Sequence, residues 1–269
     1  MSVFFEATGM IIDNVKDAMR EAAQIMLKRD FSISEKGDAS NLVTTSDVAV
    51  QTLLEKRLTA ILPGSSFFGE EGDVPDDISE YLWVNDPIDG TANFARNLGL
   101  SVISVALLKN MEPILGLVYN PYREEMFWAE AGKGAFLNDK QIHVSDKVWR
   151  KSMLCSAMSL YDKRFAKPCF NIIEKVYNET DDLRRLGTAA LEMCELAAGR
   201  VDLYFEVRLS PWDYAAASLI IKEAGGCIEM MFHDTMPLNK PSGIIAANNK
   251  ENFEKLKTIV YGEIPEELY

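Results

Sequence analysis

The sequence predicts an α/β (α+β) protein in which helices pack in layers against mixed β-sheets. Three observations carry this. Apolar residues recur at helical spacing from Ile11 to Met26 and again from Val50 to Leu58. Short apolar runs broken by turn residues then follow one another between Tyr81 and Ala129. The last third returns to helix, strand and helix, each bounded by Gly or Pro. A chain of 269 residues with 48% hydrophobic side chains has ample material for a core, which argues against disorder.

The elements follow in order. Ile11, Val15, Ala18, Met19, Ala22, Ile25 and Met26 form one helical face. A second helix is expected near Ser46, capped by Thr45 or Ser46, with Val50, Leu53, Leu54 and Leu58 inward and Pro63-Gly64 as its stop. Strands are expected over Tyr81 to Val84, Ser101 to Leu108, Ile114 to Tyr119 and Glu125 to Ala129, with turns at Lys109-Asn110 and Asn120-Pro121. Thr188 to Ala198 reads as a helix closed by Gly199. Val201 to Glu206 alternates like a strand. Ser210 to Ala224 reads as a helix with Pro211 in its first turn and Gly225-Gly226 at its end. No repeat or low-complexity linker interrupts the chain. A soft boundary near Lys147 to Met153 divides it into residues 1–146 and 147–269, two lobes of one compact unit.

Charge and cysteines narrow the function. The net charge is −13 and no basic stripe exists, which argues against a nucleic-acid polymer as partner. An acidic protein that binds an anionic substrate needs cations at its site. Cys155, Cys169, Cys194 and Cys227 form no CxxC pair and only two histidines accompany them, so no zinc site is expected. Met1 to Met26 carries acids and bases throughout, so no secretory signal is expected, and no apolar run approaches a membrane span. Free cysteines without a signal point to the cytoplasm.

Three acidic groups sit at element ends: GEEG at Gly69 to Gly72, DPIDGT at Asp86 to Thr91, and Trp212-Asp213. Each has a plainer reading. Glu70 and Glu71 fit a solvated loop, Asp86 and Asp89 fit turn or cap positions, and Ser210 to Asp213 fits a capping box. Together they supply carboxylate and carbonyl oxygens without histidine or thiolate, the donor set of a hard divalent ion such as magnesium. In DPIDGT, Pro87 stiffens the chain so that Asp86 and Asp89 can converge. Asp86 can bridge two ions, Asp89 can serve one, and the Ile88 carbonyl can fill a further position. Gly90 and Thr91 then offer backbone N–H groups to phosphate oxygens.

These motifs resemble the inositol monophosphatase family of lithium-sensitive, magnesium-dependent phosphatases. GEEG resembles its first acidic motif, WVNDPIDGTANF (Trp83 to Phe94) its central signature, and PWDYAAASLIIKEAGG (Pro211 to Gly226) its C-terminal motif. KGDASNLVTTSD (Lys36 to Asp47), RRLGTAAL (Arg184 to Leu191), GLVYNP and GAFLND also fit in order. The resemblance covers nearly the whole chain. It implies an αβαβα sandwich, a homodimer, and two or three magnesium ions per site. It assigns Glu70, Asp86 and the Ile88 carbonyl to one ion, and Asp86, Asp89 and Asp213 to another, with Glu70 touching a third. Asp47 and Thr91 are implied to orient the attacking water, with Glu71 behind them. Gly187, Thr188, Ala189 and Glu206 are implied near the alcohol portion of the substrate. Asn85 stands where an aliphatic residue is usual, and Arg96 and Gly99 replace the usual His and Pro; none of these removes a ligand. The implied activity is hydrolysis of a phosphate monoester, inositol 1-phosphate first. The same chemistry also serves 3′-phosphoadenosine 5′-phosphate, fructose 1,6-bisphosphate or histidinol phosphate. Rival readings are a non-catalytic binding or regulatory relative and a general metal- or anion-binding protein.

Overall fold

The computed structural model describes residues 2–35, 42–158 and 162–268. Lys36 to Asn41, the first half of one sequence motif, lie outside the described residues. Helix α1 (Ser2–Lys28), the ribbon β1 (Ile33–Glu35) and β2 (Leu42–Thr44), and helix α2 (Thr45–Ile61) come first. β3 (Ser66–Gly69), β4 (Tyr81–Asp89), the short α3 (Thr91–Ala95), β5 (Val102–Lys109), β6 (Glu112–Asn120), β7 (Glu125–Glu130), β8 (Ala135–Leu137) and β9 (Lys140–Ile142) follow. Those seven strands lie side by side in chain order, antiparallel except for the β3–β4 pair.

The remainder is β10 (Met153–Ser156), α4 (Ala166–Tyr177), β11 (Asp182–Arg184), α5 (Ala189–Ala197), β12 (Leu203–Leu209), α6 (Pro211–Glu223), β13 (Cys227–Met231), β14 (Ser242–Ala247) and α7 (Lys250–Tyr261). Its five strands run β11-β10-β12-β14-β13, with β10 parallel to both neighbours.

Three buried layers bind these parts. One face of the seven-stranded sheet, through Trp83, Ile103, Val105, Leu107 and Leu117, packs on α1 and α2. Its other face, through Leu82, Val84, Ala106 and Leu108, packs on α5 and α6, which also meet Tyr204, Ile244 and Ala246 of the second sheet. The outer face of that second sheet, through Leu203, Phe205, Ile245 and Ala247, is covered by α4 and α7. The order is helix, sheet, helix, sheet, helix. Both faces of each sheet are buried, which is why the strands read as continuous apolar runs. Gly116 lets α6 lie directly on β6, since a Cβ there would stand 2.5 Å from the Ala216 carbonyl oxygen.

The structure moves two sequence boundaries. The α2 cap is Thr44, not Thr45 or Ser46. β2 runs straight into the helix, and the Thr44 hydroxyl accepts from the Ser46 and Asp47 N–H groups at 3.2 and 3.4 Å. The strand expected to end at Val84 continues to Asp89. Asp86 pairs with Ser104 and Asp89 with Val102, so Pro87 and Ile88 together oppose Ile103 alone. That is a bulge, and it falls on the proline that has no ladder N–H to give. Among the described residues no helix is long and apolar enough to cross a membrane.

Candidate active site

The bulge builds the site. On a regular strand, residues three apart point to opposite faces. One extra residue between Asp86 and Asp89 restores them to the same side. Asp213, third residue of α6, arrives from the layer behind. One carboxylate oxygen from each of Asp86, Asp89 and Asp213 lies within 4.8 Å of the others.

Each carboxylate is held by backbone. Asp86 accepts the Ile88 N–H at 3.0 Å. Asp89 accepts the Ala189 and Ala190 N–H groups at 3.3 and 2.6 Å, so the first turn of α5 fixes both its oxygens. Asp213 accepts the Ser210 N–H at 2.6 Å. The plainer helix-start reading of Asp213 is therefore also true: a capping contact aims the side chain. Glu70 leaves the end of β3, its N–H donating to the Asn85 carbonyl at 3.1 Å, and faces the same cleft.

The cleft of about 370 Å³ is lined by Glu70, Asp86, Ile88, Asp89, Gly90 and Thr91 on one side and by Gly187, Thr188, Ala189, Glu206 and Asp213 on others. Asp47 sits behind Thr91. Its Oδ2 takes the Thr44 N–H at 2.7 Å, and its Oδ1 lies 3.3 Å from the Thr91 hydroxyl, which is also 3.1 Å from the Ile88 carbonyl. Glu71 does not line the cleft; its N–H donates to Gln51 Oε1 at 2.9 Å.

Gly90 has φ +85°, and a Cβ there would stand 2.3 Å from Thr188 Oγ1. This contact needs glycine both for its conformation and for its space. Asn93, which the sequence did not single out, fastens the two loops. Its Nδ2 donates to the Leu186 carbonyl at 2.8 Å and to Thr188 Oγ1 at 2.9 Å. Glu206 lines the cleft from β12 and accepts the Tyr204 hydroxyl at 3.0 Å. The departures lie elsewhere. Asn85 is buried and donates to the Ser104 carbonyl at 2.9 Å, while Arg96 and Gly99 do not line the cleft.

Electrostatics test whether magnesium fits. Burial pushes the Asp86 carboxyl well above its ordinary value, and the charges bearing on it, from Glu70, Asp89, Asp213 and Asp47, are all negative. Burial and Asp213 push Asp89 up likewise, and burial raises Asp213 to about 6. Convergent, buried, mutually repelling oxygens are a set that a hard divalent cation satisfies. The cleft is also lined by Arg185, inside the RRLGTAAL motif, and by Arg208, which the sequence reading did not single out.

Comparison with known proteins identifies the family. The model of the inositol monophosphatase family matches residues 4–263. The chain is 38% identical over 230 residues to inositol monophosphatase of Dictyostelium discoideum, covering 81% of this chain and 83% of that protein. It is 36% identical over 218 residues to Nus factor SuhB of Escherichia coli strain K12, covering 78% and 81%. The solved inositol monophosphatase of Anabaena (Nostoc) sp. superposes with a TM-score of 0.80 at 29% identity, covering 97% of this chain and 99% of that one. The chain belongs to the inositol monophosphatase family and is a metal-dependent phosphatase.

Proposed function

We propose that this phosphatase hydrolyses phosphate monoesters of polyols, with inositol 1-phosphate as the leading substrate. The observation that carries the reading is the convergence of Asp86, Asp89 and Asp213 beside Thr91 and Glu206 in one cleft. Glu70, Asp86, Asp89, Asp213 and the Ile88 carbonyl would hold magnesium ions. When bound, magnesium supplies Lewis-acid polarisation of phosphoryl oxygens and of the attacking water.

The chain's own groups do the rest. The Thr91 hydroxyl, within reach of Asp47 and the Ile88 carbonyl, orients the attacking water. Burial raises the pKa of Asp47, with Thr44 hydrogen bonds opposing, which suits it to take up a proton. The Gly90 and Thr91 N–H groups hold phosphate oxygens, and Gly187, Thr188 and Ala189 close the cleft over the alcohol. None of these groups need form a covalent phosphoenzyme; positioning and electrostatics carry the catalysis.

Glu206 supports the polyol. One oxygen is engaged by Tyr204, and its carboxylate faces a cleft rather than solvent. Losing a hydrogen bond to a charged group costs roughly 1.5–3 kcal/mol, about ten- to a hundredfold. Glu206→Ala is therefore expected to lower kcat/KM for inositol 1-phosphate by that factor and to leave p-nitrophenyl phosphate, which offers no hydroxyl there, within about threefold. Paired kinetics on the two substrates decide it, and equal losses on both would defeat the assignment. A phosphate-release screen over a panel of esters with magnesium tests the substrate class. The rival reading of a non-catalytic binding or regulatory relative that kept the fold is discriminated by the same screen, since it predicts no release from any ester. The homodimer that the family resemblance implies is tested by light scattering.

A further inference from the structure

The start of α5 does not cap itself. Thr188 holds the N-cap position, but its hydroxyl donates to the Leu100 carbonyl at 2.6 Å and makes no cap hydrogen bond. The first-turn N–H groups of Ala189 and Ala190 go instead to Asp89, at the end of β4. The position of Asp89 and the position of the α5 start therefore depend on each other.

The segment just before the helix is held along both of its polar edges. Asn93 Nδ2 donates to the Leu186 and Gly187 carbonyls at 2.8 and 3.3 Å. Glu192 takes the opposite edge: its Oε1 accepts the Leu186 and Gly187 N–H groups at 2.5 and 2.9 Å. A glutamate that closes a capping box sits third in its helix and reaches back to the N-cap N–H. Glu192 sits fourth in α5 and reaches past the cap, to the two residues before it. It holds the loop rather than the helix.

Glu192 does not line the cleft and is 0% exposed. Its Oε2 has no well-formed hydrogen bond among the described residues, and the Cys155 thiol stands beside the carboxyl. Burial pushes this carboxyl above its ordinary value, while the Gly187 and Leu186 N–H groups pull the other way. A buried carboxylate with one oxygen unmet costs stability, and an apolar side chain of the same size would pack there without that cost. The contacts with the loop explain the residue type where packing does not.

We propose that Glu192 is a positioning residue for the metal centre: by holding the Leu186 and Gly187 N–H groups, it fixes the loop that presents the Ala189 and Ala190 N–H groups to Asp89. The proposal rests on the metal-dependent reading of the site above. Groups directly behind a metal ligand set its direction, and their loss costs roughly 10- to 100-fold in metal affinity. Glu192 acts one step further back, through the loop backbone, so the low end of that range applies. Its working property is the reach of an acceptor oxygen, with the charge incidental.

Two substitutions separate reach from charge. Glu192→Gln keeps an acceptor at the same length and removes the charge. Glu192→Asp keeps the charge and withdraws the oxygens by one methylene. The readout is calorimetric titration of magnesium into the full chain freed of metal, with Tm and amide exchange of Leu186 and Gly187 measured alongside. Glu192→Asp is expected to bind magnesium about tenfold more weakly than wild type and to exchange those amides faster. Glu192→Gln is expected to stay within about threefold of wild type, with exchange still slow. A packing role would lower Tm in both variants and leave magnesium affinity where it is, which would overturn the proposal. Equal losses of affinity in both variants would overturn it too, since the charge would then be the working property. If Glu192→Asp does not fold, Glu192→Gln decides: wild-type affinity with slow exchange sustains the proposal, and about tenfold weaker binding refutes it. Wild type that binds no magnesium would defeat the metal reading and the proposal with it, whereas equal binding by wild type and Glu192→Asp would defeat the proposal alone.

Discussion

Asp213→Asn is expected to lower kcat by about 10²-fold or more, a loss on the scale of removing one oxyanion-hole donor, while leaving the fold intact. The amide keeps an acceptor for the Ser210 N–H that Asp213 now receives at 2.6 Å, so the start of α6 stays in place. What disappears is one negative charge from the three-carboxylate cluster. Asp89→Asn should lose activity on the same scale and stability as well. Both of its oxygens accept N–H groups from α5, and an amide has only one acceptor oxygen, so its NH₂ would face a backbone donor. The measurement is kcat on p-nitrophenyl phosphate at saturating magnesium, with Tm alongside. Turnover within about threefold of wild type in both variants would remove these carboxylates from the chemistry. Equal Tm losses in the two would remove the distinction between them.

Chelation with excess EDTA should abolish turnover, and the pH dependence of Tm should expose the cluster. Burial, with carboxylate neighbours, raises Asp86 and Asp89 well above their ordinary 3.8, and burial raises Asp213 to about 6. In the metal-free chain the folded state therefore binds more protons than the unfolded state from pH near 4 upward. Its stability is fully present at low pH and falls as pH rises toward 6 and beyond. Above that window the deprotonated carboxylates repel one another and bind a cation best. Magnesium at about a hundred times its dissociation constant contributes about 2.7 kcal/mol, or roughly 5 to 10 °C in a chain of this size. Calorimetry at pH 5 and 7.5, with EDTA and with magnesium, is expected to give the larger magnesium shift at 7.5. An equal shift at both pH values, or full activity in EDTA, would contradict the metal assignment.

Much of this was legible in the chain. The helical stripe from Ile11 and the strands from Tyr81 to Ala129 stand where apolar period and turn residues put them. Short elements such as β3, β8, β9, β10 and β11 were not legible. Three- or four-residue strands carry no period of their own and exist because a neighbouring strand offers its hydrogen bonds. α4 and α7 were passed over although both are amphipathic, and they cover the outer face of the second sheet.

By itself the sequence determined the family, the chemistry of the donors and the order in which they are met, because these are properties of residue type and spacing. The tertiary structure decided which of those donors meet. Asp86 and Asp89, three apart, share a face only because Pro87 and Ile88 oppose the single Ile103, and that pairing partner is supplied by β5. Asp213 comes 124 residues after Asp89, on a helix packed between the two sheets, and reaches the same point because α6 rests on β6 at Gly116. Arg185, inside the RRLGTAAL motif, and Arg208 line the same cleft as the acidic residues only because the second sheet packs there. Local patterns encode donors and periods, whereas convergence depends on contacts between segments far apart in the chain, and only the folded layers bring those together.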